Sequence, residues 1–311
     1  MKRLFTLILV SALTVGTAAA WGRLGHATVA KIAENHLTKK AKKQITEYLH
    51  GESIVKWASY ADDSKSDLLV DVGFEPSNTK RHISYPHTFE ANADCTAYRD
   101  IRKGDTYVKN CIYFIEKMAN DLKESAKEMS DSVRVASIAL IVHFVGDMHC
   151  PEHIRYSEDQ TIGYYKVYFG KEQIRYHSLW DTQIIATRLP WSFTDTAYLL
   201  DTYTKEQIAA ATAGTPYDWG YDSASASRKV HEVKEGAKLD KRLYLDEYQP
   251  LAEDQIRKAG YRLAALLNET RVPKWTPSIF VDIAKNREQS LAPIFFSTPS
   301  CSCEHKSCNA T

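Results

Sequence analysis

Residues 143–153 read HFVGDMHCPEH, with three histidines, an aspartate and a glutamate placed directly behind the apolar run VASIALIV (135–142). Imidazole and carboxylate donors without thiolates suit Zn²⁺ in a catalytic rather than a structural site. His143 and Asp147 are four residues apart, a spacing that puts both on one face of a helix. A lone histidine on an apolar helix is ordinarily a satisfied core residue. A histidine with an acid one turn later, and His153 six residues further on, resists that explanation, because a buried carboxylate without a cation or hydrogen bond is costly. The same H-x3-D spacing returns at His177 and Asp181, in HSLWD. Two such pairs point to a polynuclear site.

Further donors lie upstream. Residues 1–20, MKRLFTLILVSALTVGTAAA, have a basic start, an apolar centre and Ala18 and Ala20 in an A-x-A cleavage pattern. That is the pattern of a cleaved secretory signal, not of a membrane span. Cleavage there would expose the α-amine of Trp21, which with its own carbonyl can chelate a metal, and His26 follows five residues later. Asp62 and Asp63 in WASYADDSKSD and His82 in RHISYPH complete the candidates.

Most elements that must position these groups read as helices. They are 27–37, 38–49 with Thr38 as N-cap, 106–128, the more apolar 130–148, 178–189, 204–212 and 249–270 with Pro250 near its start. Residues 50–105 read as irregular, and 204–212 is the only clear helix signal between 190 and 220. The Tyr-rich segment 161–177 reads as a short hairpin or an extended loop. The fold class is therefore all-α: a single domain of long helices over 21–311, with 271–311 as a proline-bearing tail. After removal of Lys2 and Arg3 the basic residues fall from 40 to 38, against 39 acidic ones, which excludes a strongly basic nucleic-acid coat. No later run approaches the roughly 20 apolar residues of a membrane span. Six cysteines (Cys95, Cys111, Cys150, Cys301, Cys303 and Cys308) permit disulfides, and Cys95–Cys111 is the favoured pair.

WGRLGH (21–26), YADDSK (60–65), RHI (81–83), VHFVGDMHCPEH (142–153), HSLWD (177–181) and AGYRLAALLN (259–268) occur in the order, and with the H-x3-D-x5-H and H-x3-D spacings, of one family. On these motifs the chain resembles the S1/P1 nucleases, secreted phosphodiesterases with an all-helical fold and three zinc ions. The resemblance implies three Zn²⁺: one on His143, Asp147, Asp62 and His82, a second on the Trp21 amine and carbonyl, His26 and a bridging Asp147, and a third on His153, His177 and Asp181. It places His149 outside the ligand set, in a supporting or packing role. It makes Asp62 the orienter of the attacking water and aligns Lys65 with a phosphate-holding arginine. A lysine there is a point charge rather than a planar fork, and Lys65 reads equally well as a solvated surface charge.

The substrate pocket departs from the family. Ile83 and Tyr85 stand where its fungal members carry an aromatic residue and a base-reading acid, and Ile162-Gly163-Tyr164 and Arg175-Tyr176-His177 replace two further motifs. Tyr85, Tyr164 and Tyr176 could stack on bases, although in a chain with 18 tyrosines each is more often structural. The implied activity is hydrolysis of single-stranded RNA and DNA to 5′-phosphorylated products together with 3′-nucleotidase activity, by a monomer that is secreted or periplasmic. A zinc phospholipase C is the alternative. It is disfavoured because that family has a longer gap from its N-terminal Trp to the next His and usually ends in H-x3-E. A non-catalytic metal-binding module is disfavoured because Asp62 is present.

Overall fold

The structure, a computed structural model, describes residues 21–63, 72, 87–97, 99, 102–103, 106–107, 110–158, 164–187 and 191–270. The chain divides into two units, Met1–Val272 and Pro273–Thr311, and everything that follows concerns the first.

The organising element is Asp131–Met148. Ser130 caps it by accepting the Val133 N–H, Asp131 sits favourably in its first turn, and every residue from Val135 to Met148 is buried. An all-round apolar helix is enclosed on every side. Here the neighbours include Gly22–Asn35 (α1), Lys39–Tyr48 (α2), Ile54–Trp57 (α3), Tyr60–Asp63 (α4) and Cys111–Ser125 (α5), so that Asp131–Met148 is α6. Thr38 caps α2 through the Ala41 N–H, as its sequence predicts.

α5 begins at Cys111, not at residue 106. Asn110 accepts the N–H groups of Ile112 and Tyr113, which fixes the start there, while Arg102–Lys103 (β2) pair with Thr106–Tyr107 (β3). The region 190–220 also holds more helix than expected. Phe193–Leu200 and Pro216–Ser227 flank the expected Lys205–Thr212, and all three begin with a reciprocal capping box (Ser192/Asp195, Thr204/Gln207, Thr215/Asp218). The last helix of the described chain, Lys241–Glu269 (here αC), starts nine residues before Pro250 and carries that proline in its interior. Asp240 caps it by accepting the Leu243 N–H. αC packs along α1 and also meets α6.

Strands are few. Phe89–Ala91 (β1) pairs in parallel with Ile154–Tyr156 (β4), Phe89 opposite Ile154. Within 161–177 the hairpin alternative holds: Lys166–Phe169 pairs with Glu172–Arg175, and Lys238–Leu239 adds a third strand. Cys95 and Cys111 are free thiols rather than a disulfide. Cys95 lies in a left-handed turn, whereas Cys111 is fully buried. Among the described residues no helix is long and apolar enough to cross a membrane.

Candidate metal centre

Three elements converge on the C-terminal turn of α6. The first is α1. Trp21 and Gly22 both take φ +42°, and Trp21 is almost fully buried. A Cβ on Gly22 would lie 3.1 Å from the Asp181 carbonyl oxygen, so this close approach of backbones requires glycine. Gly146 plays a similar part on α6: a Cβ there would stand 2.7 Å from Nδ1 of His26. His26 therefore enters a space that α6 leaves open one residue before Asp147.

Around Asp147 the polar atoms are spaced in a narrow range. His26 Nε2 lies 3.4 Å from Oδ1, His143 Nε2 lies 3.3 Å from Oδ2, and His143 Nε2 lies 3.6 Å from Asp62 Oδ1. The His26 and His143 rings stack with centroids 4.2 Å apart. The His143 Nδ1–H donates to the Ala58 carbonyl at 2.8 Å, which turns Nε2 toward the carboxylates. α4 delivers Asp62, and its side chain is nearly buried.

A second cluster adjoins the first. The turn Pro151–His153 leads into β4, and its pairing with β1 lets the His153 Nδ1–H donate to the His87 carbonyl at 3.0 Å. His153 Nε2 then faces Asp181 Oδ1 at 3.5 Å, and His177 Nε2 faces Asp181 Oδ2 at 3.1 Å. His177 and Asp181 span the passage from a short helix, Tyr176–Ser178, into a π turn, Leu179–Gln183. The two clusters meet, since His153 Nδ1 lies 4.0 Å from Asp147 Oδ1.

These separations fit metal coordination. Two N/O ligands at about 2.0–2.1 Å from a tetrahedral zinc stand about 3.3–3.4 Å apart. The hydrogen bonds present do not account for the arrangement: both Asp147 oxygens, His153 Nε2 and Asp181 Oδ2 are buried and have no aligned hydrogen-bond partner. Asp147 is further disfavoured as an anion at the negative end of the α6 dipole. Burial holds its carboxyl well above the usual range, against the pull of His143. Burial likewise raises Asp181 to about 7 and lowers His153 and His177 to about 4. The His153 and His177 imidazoles are thus kept neutral, as ligands must be, and a bound cation would favour the ionised carboxylates.

The structure brings His26, Asp62, His143, Asp147, His153, His177 and Asp181 together, and Trp21 stands beside them. Lys65, His82, Ile83 and Tyr85 lie outside the described residues. Tyr176 does not face a substrate: it is buried, donates its hydroxyl hydrogen to the Val230 carbonyl at 2.8 Å and meets the Tyr244 hydroxyl at 2.8 Å. Tyr164 is 63% exposed and stacks on His177.

His149 is also buried and donates its Nδ1–H to the Val145 carbonyl at 2.7 Å, while Nε2 accepts from Arg262 at 2.8 Å. Burial, then the Arg262 charge, lowers its pKa to about 3. Arg262 also reaches Asp222 at 2.7 Å and the Ala211 carbonyl at 2.8 Å, and so ties αC to the end of α6. Sequence reasoning assigned no role to Arg262. Its only signal is a guanidinium set within the apolar stretch 259–267 of αC.

The sequence profile of the S1/P1 Nuclease family matches residues 21–271. Nuclease S1 of Aspergillus oryzae is 26% identical over 292 residues, covering 84% of this chain and 96% of that protein. Endonuclease 2 of Arabidopsis thaliana is 24% identical over 280 residues, 80% of this chain and 89% of that protein. Nuclease P1 of Penicillium citrinum is 24% identical over 272 residues, 80% and 97% respectively. With a buried cluster of imidazoles and carboxylates suited to zinc and a family match that runs from Trp21 through the last described helix, this chain belongs to the S1/P1 nucleases and is a nuclease.

Proposed function

We propose that the protein is a secreted, zinc-dependent phosphodiesterase that cleaves single-stranded RNA and DNA to 5′-phosphorylated products and also acts as a 3′-nucleotidase. The observation that carries the reading is the set of 3.1–3.6 Å separations between buried imidazole nitrogens and carboxylate oxygens around Asp147 and Asp181. Three zinc ions would be held as the family pattern implies: by Asp62, His82, His143 and Asp147; by the Trp21 amine and carbonyl, His26 and Asp147; and by His153, His177 and Asp181. Bound zinc supplies activation of water and neutralisation of charge on the phosphate.

The chain's own groups do the rest. Asp62 orients the attacking water toward phosphorus. Asp147 ties two ligand sets into one rigid unit, because it comes from the enclosed α6. The Ala58 and His87 carbonyls fix the tautomers of His143 and His153. By the family pattern, Lys65 would take the place of a phosphate-holding arginine as a point charge, and Ile83 and Tyr85 the places of the base-reading residues. Tyr164, exposed over His177, offers a stacking face for a base beside the cleavage site. Stacking and phosphate contacts both require a strand that can splay its bases, which favours single-stranded substrates.

The test is metal analysis combined with assays on single-stranded RNA, single-stranded DNA, duplex DNA and phosphatidylcholine. The expected result is three zinc ions per chain, preference for single strands and 5′-phosphate ends. Phosphatidylcholine hydrolysis without nuclease activity would overturn the reading. So would full activity in a protein carrying one extra residue before Trp21, since that residue would block the α-amine.

A further inference from the structure

The cluster around Asp181 contains a group that the two H-x3-D pairs do not account for. Cys150 is fully buried, and its sulfur lies 3.7 Å from Asp181 Oδ1. One donor atom each from Cys150, His153 and Asp181 falls within 4.8 Å of the others. For a tetrahedral zinc with Zn–S about 2.3 Å and Zn–N or Zn–O about 2.0–2.1 Å, sulfur and oxygen ligands stand about 3.5 Å apart. The sulfur is therefore as well placed as His153 Nε2, which lies 3.5 Å from the same oxygen.

A simpler role is a weak S–H donor to Asp181. That role leaves His153 Nε2 and Asp181 Oδ2 buried with no aligned hydrogen bond, although both side chains are about 1% exposed. A cation held among Cys150 Sγ, His153 Nε2 and Asp181 Oδ1 would give His153 Nε2 a partner and neutralise the buried carboxylate. Cys150 is held in place by the turn it opens: the His153 N–H donates to its carbonyl at 2.9 Å, and its own N–H donates to the Asp147 carbonyl at 2.9 Å.

We infer that Cys150 is a metal ligand, adding a thiolate to the His153–His177–Asp181 site. On binding, the S–H proton leaves to solvent and a metal–sulfur bond forms, with no change of oxidation state. The site then differs from one built of imidazole and carboxylate alone, and it favours softer ions. The inference rests on the zinc reading of the cluster.

Cobalt substitution of the full, processed protein tests it. Thiolate-bound cobalt(II) gives an intense sulfur-to-metal charge-transfer band in the near ultraviolet, which nitrogen and oxygen donors do not give. The band is expected in the unaltered protein and in Cys111→Ser, and it should vanish in Cys150→Ser. Cys150→Ser should also weaken Cd²⁺ binding at least about tenfold more than Zn²⁺ binding. A second arm leaves Cys150 untouched: with Cys301, Cys303 and Cys308 changed to serine, zinc X-ray absorption should still show a sulfur neighbour at about 2.3 Å. Bound cobalt without the band, or a band that survives Cys150→Ser, overturns the cysteine assignment and leaves the zinc reading intact. Failure to bind either metal overturns both.

Discussion

His143–Asp147 and His177–Asp181 share a spacing and little else. The first pair sits on an enclosed helix of regular geometry, where burial of the whole element from Val135 to Met148 holds the side chains. The second pair sits across a short helix and a π turn, with too few residues of its own to be rigid. Neighbours hold it instead. Trp180 Nε1–H donates to the Tyr244 hydroxyl at 3.0 Å, and Tyr176 meets that same hydroxyl at 2.8 Å. The N–O distances across the two pairs nevertheless agree, at 3.3 and 3.1 Å. One spacing can thus be made precise either by the element that carries it or by the clamp around it. π turns recur at functional sites, and here the turn requires that clamp.

Asp147→Asn gives the largest effect. Asp147 faces His26, His143 and His153, whereas Asp62 faces His143. On the proposed three-zinc reading, Asp147→Asn should lose two zincs and at least about 10³-fold in activity, a barrier change of about 4 kcal/mol. Asp62→Asn should retain more metal while losing activity. Zinc counted by native mass spectrometry decides this, and equal retention in the two variants would remove the bridging role.

Asp181→Asn probes the other pair through pH. The Asp181 carboxyl is raised by burial to about 7 in the metal-free fold, above the ordinary aspartate value of about 4. The unfolded chain therefore releases that proton first. Metal-free stability is unaffected below about 4, falls as pH rises between about 4 and 7, and stays low above 7. The shift corresponds to roughly 4 kcal/mol at most. The facing groups, His153, His177, Cys150 and Asp62, are the same in both proteins. At pH 8, metal-free Asp181→Asn should therefore melt higher than the metal-free parent, yet gain less from added zinc. A lower melting temperature for the metal-free variant would contradict a carboxyl that burial holds above its ordinary pKa.

The degree to which each region could be read from sequence follows the same division. α6 was legible because apolar residues on all faces and a capping serine are local signals. Its ligands followed from i,i+4 spacing. The Phe193–Leu200 and Pro216–Ser227 helices are hard to read from sequence because they are short, and a capping box without a long periodic run behind it is a weak signal. Pro250 suggested a helix start, but Asp240 caps the helix nine residues earlier, and the contacts of αC with α1 and α6 outweigh the lost hydrogen bond. The clamp around His177 and the Arg262–His149 contact join residues 64 and 113 positions apart, and no local pattern carries such pairs. In sequence Cys150 reads only as a disulfide candidate, and the approach of Asp181 is what gives it another role.

Gly146→Ala separates helix from site in α6. Alanine is the better helix former by about 1 kcal/mol, so helix content should hold or rise. The added methyl would press on the His26 ring, whose Nδ1 lies 2.7 Å from the Cβ position. Zinc affinity should fall about 10–100-fold, the range for disturbing a ligand's surroundings. Circular dichroism and zinc titration together check both halves. Unchanged zinc affinity would mean that the ring has room to move.

Tyr244→Phe gives the smallest effect and bears on the clamp alone. It leaves the ring stacking with Tyr248 in place, at 4.6 Å between centroids, and removes only the hydroxyl. Trp180 Nε1–H then loses its partner in a buried setting, while Tyr176 still donates to Val230. The cost should be about 1–3 kcal/mol of stability. If the clamp positions the π turn, His177 and Asp181 should also drift, and zinc at that site should exchange faster while the zincs of the Asp147 side are unaffected. The readout is site-resolved metal exchange, followed by the cobalt spectrum. A loss of stability with no change in metal exchange would show that the π turn holds its own geometry, and the two H-x3-D segments would then differ in shape but not in how they are supported.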